Sequence, residues 1–537
     1  MTYGLGSNRR VVAEVTERYD LVSPLPARGL WHLSHNRAFR HPDRPGKPAT
    51  SRMRYPHMRR SLSVPLAVAA VVGLLATACG GGTRPPAHPG PVAPPSIAIV
   101  GATLWDGTGR GPVPNAVTLV RGDRILCAGS AGECLVPKGA RVVEAKGQYL
   151  IPGLIDSHVH LLFLIRGSAG EELALDLRNL LAQGITTVRD MGTDPAALLS
   201  RVRTLQAAPR VYAMQLVAGR RFFFNGFRGT ATARGTIYRQ PPAIAMQQLG
   251  WKPIQFDPDG DPDAIVTEAV ESGAMGLKLY AQLDSMSVRR LTEAAHRRGL
   301  PVWGHAWVQP ASVMEQVSAR MNGVVHAAGL AGELFTVAER DTLLRDGDLQ
   351  ISTSAVATVA SAHDPRVEAV LDSMARRGTI FEPTLDAVRA SVASYDAKLP
   401  HVPSLQEEYV RSASRFGMEV TREAIRRGVR ISAGSDHVAY GPARERSSLF
   451  GELRLLVDSI GLTPTAALLA ATRDAARAIG GAPGRQVGTI QAGRYADLVL
   501  LSKDPLRDIA NLEQVELVMV GGKVWRPGQL RSGIAIK

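Results

Sequence analysis

The chain has 537 residues, 45% of them hydrophobic, and a formal net charge of +15. That length allows three or four domains of about 150 residues, or one large α/β barrel with an accessory domain. The charge does not describe a nucleic-acid-binding protein. Residues 1–60 hold twelve Lys or Arg against four acids, which leaves only +7 for the other 477 residues, and no basic stripe interleaved with aromatics follows.

Residues 58–79 account for the basic start. Met58-Arg59-Arg60 is a positive leader, residues 62–75 are apolar, and Ala76-Thr77-Ala78 leads into Cys79. This resembles a bacterial lipoprotein signal, with Cys79 lipidated as the mature N-terminus. The apolar run is too short for the roughly 20 residues of a membrane-spanning helix and ends in Gly80-Gly81-Gly82. The expectation is an exported protein held to the cell envelope by its lipid. Residues 1–57 then read as an over-extended gene model or a disordered stretch. Residues 79–95, with six prolines, read as an extended tether.

Short strands broken by glycine turns follow at 97–104, 116–121, 124–128 and 141–145. Cys127 and Cys134 flank a turn-rich stretch within them. In an oxidising compartment the pair closes a small loop as a disulfide, or it remains two separate thiols. Similar strands return at 497–501, 515–520 and 523–525. A small β-sandwich built from residues 96–152 and 486–537 is the simplest topology.

Between these ends, residues 153–485 alternate strand-like and helical segments, which predicts βα units around a parallel barrel. Eight strand candidates cover 154–160, 185–190, 210–217, 276–280, 301–305, 323–327, 379–385 and 429–435. A ninth at 348–353 reads as an excursion. A helix over 463–479, with Thr463 as N-cap, Pro464 at its first position and Gly480 as its stop, closes the region. The fold class is therefore α/β: a (β/α)8 TIM barrel with a small β-sandwich domain.

His158-Val159-His160 lies at the end of the first barrel strand. Side chains alternate along a strand, so both imidazoles leave on one face and can converge on one ion. Taken alone, the pair is equally a pair of hydrogen-bonded core histidines. Metal-competent residues recur at later strand ends: Lys278, His305, His326 and Asp436. In such barrels the C-terminal strand ends carry the chemistry. Lys278 sits inside the apolar Gly276-Leu277-Lys278-Leu279, where a lone charge is expensive.

The motifs Ile151-Pro-Gly-Leu-Ile-Asp-Ser-His-Val-His160, Thr186-Thr-Val-Arg-Asp190, Gly304-His305-Ala306, Val325-His326-Ala327, Pro383-Thr-Leu385 and Ala433-Gly-Ser-Asp436 together carry a resemblance. From about Ile97 onward the chain resembles the amidohydrolase superfamily, in its imidazolonepropionase- and prolidase-like branch. The resemblance implies two divalent metal ions, zinc first among them. It places His158 and His160 on one ion and His305 and His326 on the other, with Lys278 bridging both as a CO2-derived carbamate. Asp436 is then the last ligand and the proton shuttle. A water bridging the ions would ionise near neutral pH, its pKa falling to about 7 on zinc, and attack an amide carbonyl. Tyr280, two residues from Lys278, either supports the oxyanion or packs at the rim.

The substrate is a small molecule whose identity is less legible. Many relatives carry Gly-Gly-His-Gly after the third strand, where this chain has Gly219-Arg220-Arg221 and, further on, Arg228. Those arginines either clamp a substrate carboxylate or form a solvated loop. The leading reading is hydrolysis of a C–N bond in a dipeptide, N-acyl amino acid or cyclic amide, with monomer and homo-oligomer both left open for the chain. The alternatives are hydrolysis of an ester, lactone or phosphotriester at the same site, and a non-catalytic binding lipoprotein. Loss of a ligand would mark the last, and none is lost.

Overall fold

A computed structural model describes residues 96–161, 169–192, 194–219, 253–306, 308–338, 357–396, 405–438 and 448–532. Contacts divide the chain at Ala93 and Pro94, and all described residues belong to the second unit. Cys79, Arg220, Arg221, Arg228 and the ninth strand candidate lie outside the described residues. Among the described residues no helix is long and apolar enough to cross a membrane.

The chain opens with strands β1 (Ser96–Leu104), β2 (Val113–Arg121), β3 (Arg124–Ser130), β4 (Arg141–Glu144) and β5 (Tyr149–Pro152). Then come the strands that alternate with helices: β6 (Leu154–His160), β7 (Ile185–Asp190), β8 (Arg210–Ala213), β9 (Gln215–Gly219), β10 (Ile254–Phe256), β11 (Leu277–Leu279), β12 (Val302–His305), β13 (Gly323–Val325), β14 (Ile380–Glu382) and β15 (His437–Val438). The chain closes with β16 (Leu498–Leu501), β17 (Val515–Val520) and β18 (Lys523–Trp525).

Both ends meet in one eight-stranded sheet of order β18-β17-β16-β5-β1-β2-β3, with β4 beside β1. Strand β16 is buried along its whole length, and its alternation shows why. Leu498 and Leu500 join the core of the end sheet with Ile99, Val120 and Leu150. Val499 and Leu501 point the other way, into the large core with Ile151, Leu154 and Val188. Cys127 and Cys134 form a disulfide at the end of β3, with their Cα atoms 5.8 Å apart.

The middle strands pair in parallel, in the orders β15-β6-β7-β8 and β10-β9-β11-β12-β13-β14. The helices between them start where the sequence places caps. Asp194, Asp284 and Ser312 each accept a first-turn backbone N–H, and Asp364 does the same ahead of Pro365. Gly378, left-handed at φ 71°, stops the helix Pro365–Arg377.

Three predicted elements differ from expectation, each for a local reason. The strand expected over 210–217 breaks at Met214. There the backbone pairing passes from Asp190, which accepts the Met214 N–H, to Gly276, which accepts that of Gln215. The strand expected over 429–435 is reduced to a single bridge between Ile431 and Phe381. The helix expected over 463–479 is two helices, Pro464–Ala470 and Arg473–Ile479. At the break, the Ala470 carbonyl accepts from Ala433 and the Ala471 carbonyl accepts from Ile155. The Thr472 hydroxyl meanwhile bonds back to Leu468 at 2.6 Å. Carbonyls committed to strands cannot also continue a helix.

One buried acid makes stability depend on pH. Glu452, in the helix Leu449–Arg454, is fully buried and accepts the Asp386 N–H at 2.7 Å. Burial pushes its carboxyl up to about 8. A carboxyl raised above its unfolded value of 4.5 stabilises the fold fully below that pH, and the contribution is lost as pH climbs to about 8. Denaturant unfolding should therefore show wild type losing on the order of a few kcal/mol between pH 5 and 8.5 that Glu452→Gln keeps. Parallel pH profiles for the two proteins would refute this.

Candidate metal centre

The centre forms where the parallel strands end. His158 is fully buried, and its ring lies 5.3 Å from that of His160. Both rings reach one carboxylate: Asp436 Oδ1 is 3.4 Å from His158 Nε2 and 3.2 Å from His160 Nε2. Possible ligand atoms of these three residues all lie within 4.8 Å of one another. His305, ending β12, and His326, just after β13, have ring centroids 4.5 Å apart. His326 is in turn 4.9 Å from His158, and its Nδ1 is 3.9 Å from Asp436 Oδ2.

Lys278 in β11 is 1% exposed, and its ammonium nitrogen has no hydrogen-bond partner. Burial draws its pKa down to about 7, against the pull of Glu382 and Asp436. Its charge is felt by His158, His305 and His326. Tyr280 stands edge-on to His305 at 5.0 Å between ring centroids, and burial raises its phenol well above the ordinary value. The structure thus brings Tyr280, Lys278, the four histidines and Asp436 to one end of the parallel strands.

The backbone supports this arrangement under strain. His326, Thr384 and Asp436 have φ of 69°, 49° and 55°, values that side-chain-bearing residues rarely adopt and that cluster at functional sites. Gly434 is required by contact. A Cβ there would fall 2.6 Å from His158 Cβ and 2.9 Å from Glu382 Cδ.

Electrostatics set the protonation states. Burial holds His158, His305 and His326 well below the usual imidazole pKa, against the pull of Asp436 at His158 and with the Lys278 charge adding to it at all three. They are neutral at physiological pH, the form that binds a metal. Burial alone would raise the Asp436 carboxyl, but His158, His160 and Lys278 outweigh it and hold the group below its ordinary value. Neutral imidazoles, an ionised carboxylate and a buried amine without a hydrogen bond form a donor set that suits divalent ions, zinc included.

Three neighbours of the centre are absent from the sequence-based ligand set. Glu382 Oε1 is 2.9 Å from His158 Nδ1, Thr384 Oγ1 is 2.8 Å from His326 Nδ1, and Arg189 ion-pairs with Glu382 at 2.9 Å. The available signal was Glu382 itself, an acid in the apolar Ile380-Phe381-Glu382. A second cluster, His363, Glu368 and Glu423, has a different character. Arg427 already bonds both Glu368 and Glu423, and His363 is exposed.

Residues 149–525 match the family model described as amidohydrolase family. An imidazolonepropionase of Symbiobacterium thermophilum is 26% identical over 442 residues, covering 76% of this chain and 91% of that protein. An ochratoxinase of Aspergillus niger is 22% identical over 461 residues, covering 82% and 87%. The solved structure of a Xaa-Pro dipeptidase with bound methionine in its active site superposes with a TM-score of 0.59 at 19% identity, covering 80% of this chain and 100% of that one. The described strands and helices have the TIM-barrel-like α/β fold of these neighbours, and the chain is a hydrolase. It belongs to the amidohydrolase family.

Proposed function

We propose that this chain hydrolyses the C–N bond of a small amide, such as a dipeptide, an N-acyl amino acid or a cyclic amide, with two divalent metal ions. The observation that carries the reading is the convergence of four histidines, Asp436 and the buried amine of Lys278 at the strand ends. Hydrolases of C–N bonds among the relatives, an imidazolonepropionase and an ochratoxinase, favour an amide over an ester or phosphotriester.

In this reading His158 and His160 hold one ion, His305 and His326 the other, and Asp436 completes the set. Lys278 would serve them as a carbamate, an anionic oxygen donor formed when its neutral amine adds CO2 and releases one proton. Its burial and low pKa favour that step. Bound zinc supplies an acidified water and a polarised substrate carbonyl. The chain does the rest. Asp436 accepts the proton of the attacking water and passes it to the leaving nitrogen. Tyr280, beside His305, donates its hydroxyl hydrogen to the developing oxyanion.

The finer architecture belongs to the same proposal. We read the two sets of parallel strands, with β10 set aside and β8 and β9 counted as one, as arcs of one eight-stranded barrel. Met214 joins them on one side. On the other, Ser157 donates to Ala433 and Ser432 donates to Phe381. The end sheet folds over its own core as a small sandwich, and Cys79 anchors the protein to the envelope membrane.

The test is to purify the protein, measure its metal content, and screen dipeptides and N-acyl amino acids with and without a chelator. About two ions per chain are expected, with turnover abolished by chelation and restored by Zn2+. Less than one ion per chain with no chelator-sensitive turnover would overturn the proposal.

A further inference from the structure

We infer that Glu382 is a positioning residue that locks His158 in its metal-binding tautomer. The inference rests on the two-metal reading above. An ionised carboxylate can only accept hydrogen bonds, so the 2.9 Å contact of Glu382 Oε1 with His158 Nδ1 places the imidazole hydrogen on Nδ1. The lone pair is thereby left on Nε2. That nitrogen is buried without a hydrogen-bond partner and faces Asp436 at 3.4 Å.

Glu382 is itself held from several sides. Its Oε2 accepts from Arg189 at 2.9 Å and from Ser432 Oγ at 2.9 Å, and also from Ser157 Oγ. Arg189 is fixed in turn by the carbonyls of Ser157 and Ala478, each at 2.7 Å, and lies 3.8 Å over the Trp303 ring. A bare counter-ion for Arg189 would need Oε2 alone. Here Oε1 is kept for the histidine, and Gly434 supplies the space for that approach.

His326 is held differently. Its Nδ1 partner is the Thr384 hydroxyl, which can donate or accept and so fixes no tautomer. The consequence is an asymmetry between the two ions. Loss of the Glu382 carboxylate should weaken the ion on His158 and His160 by about 10–100-fold, the usual effect of removing such a support. The ion on His305 and His326 should change by less than about threefold.

The experiment titrates the metal-free protein with Zn2+ against a chromophoric chelator, in wild type, Glu382→Gln and the double variant Glu382→Gln/Arg189→Met. The double variant removes the guanidinium that the single change leaves buried without its partner. One weakened step and one unchanged step in the folded variants is the expected result. Two wild-type steps in both variants would overturn the role of Glu382. A wild type that binds no Zn2+ would overturn the two-metal reading instead. Should neither variant fold, [15N]histidine NMR of the metal-free wild type decides, with the His158 signal assigned by its loss in His158→Gln. Hydrogen on Nδ1 supports the inference, and hydrogen on Nε2 overturns it.

Discussion

Asparagine at position 436 is expected to lower kcat by about 10²–10⁴-fold, the range for loss of a general acid–base group. The Asp436 carboxylate lies at hydrogen-bond to ion-pair distance from His158 and His160. Those neighbours and Lys278 hold it ionised despite burial, so it can accept a proton at neutral pH. An amide has the same shape and can still offer an oxygen to a cation, but it cannot take the proton. Metal content measured alongside the kinetics separates the two roles. A variant that keeps its ions and turns over within threefold of wild type would remove Asp436 from the chemistry.

Methionine at position 278 should act in two opposite directions. Turnover should fall by at least about 10³-fold if, as proposed, Lys278 serves both ions, since electrostatic stabilisation is commonly the largest catalytic contribution. The metal-free protein should become more stable, by on the order of 1–3 kcal/mol near neutral pH, because a buried amine without a hydrogen bond is replaced by an apolar chain of similar length. The pH dependence identifies the cause. Lys278 has a folded pKa of about 7 against 10.5 unfolded. Its full contribution is therefore present above about 10.5 and is lost as pH falls through 7. Metal-free wild type should gain stability over that interval, and Lys278→Met should not. Denaturant titrations at pH 6.5 and 9.5 measure the difference, and equal slopes for both proteins would contradict the assignment.

Much of the site was legible because its chemistry is written in short local patterns. His158 and His160 share a face by strand alternation alone, and a lysine between Leu277 and Leu279 is costly enough to require a purpose. What sequence could not supply is the partner of each group. Glu382 reaches His158 across 224 positions, and nothing near either residue in the chain announces the other. Arg189 was visible only as part of a motif, while its role comes from contacts with β6, β14 and Ala478. The misjudged elements share one cause. At 429–435 and at Ala471, backbone groups bond to distant strands and helices, and such tertiary commitments override local propensity. The arginine-rich stretch after Gly219 lies outside the described residues, so the choice between clamp and solvated loop rests with the substrate screen.

The end sheet has a consequence for how the enzyme is made. Strand β5 runs through Gly153 into β6, which carries His158 and His160, and β5 is paired with β16 roughly 350 residues later in sequence. The Gly153 N–H also donates to Asp497. A growing chain on the ribosome therefore exposes His158 and His160 long before the strand that secures their mooring has been synthesised. Contacts this distant in sequence make folding slow. A nascent chain stopped short of Leu498 would carry all six candidate ligand residues without the strand that pins the first two.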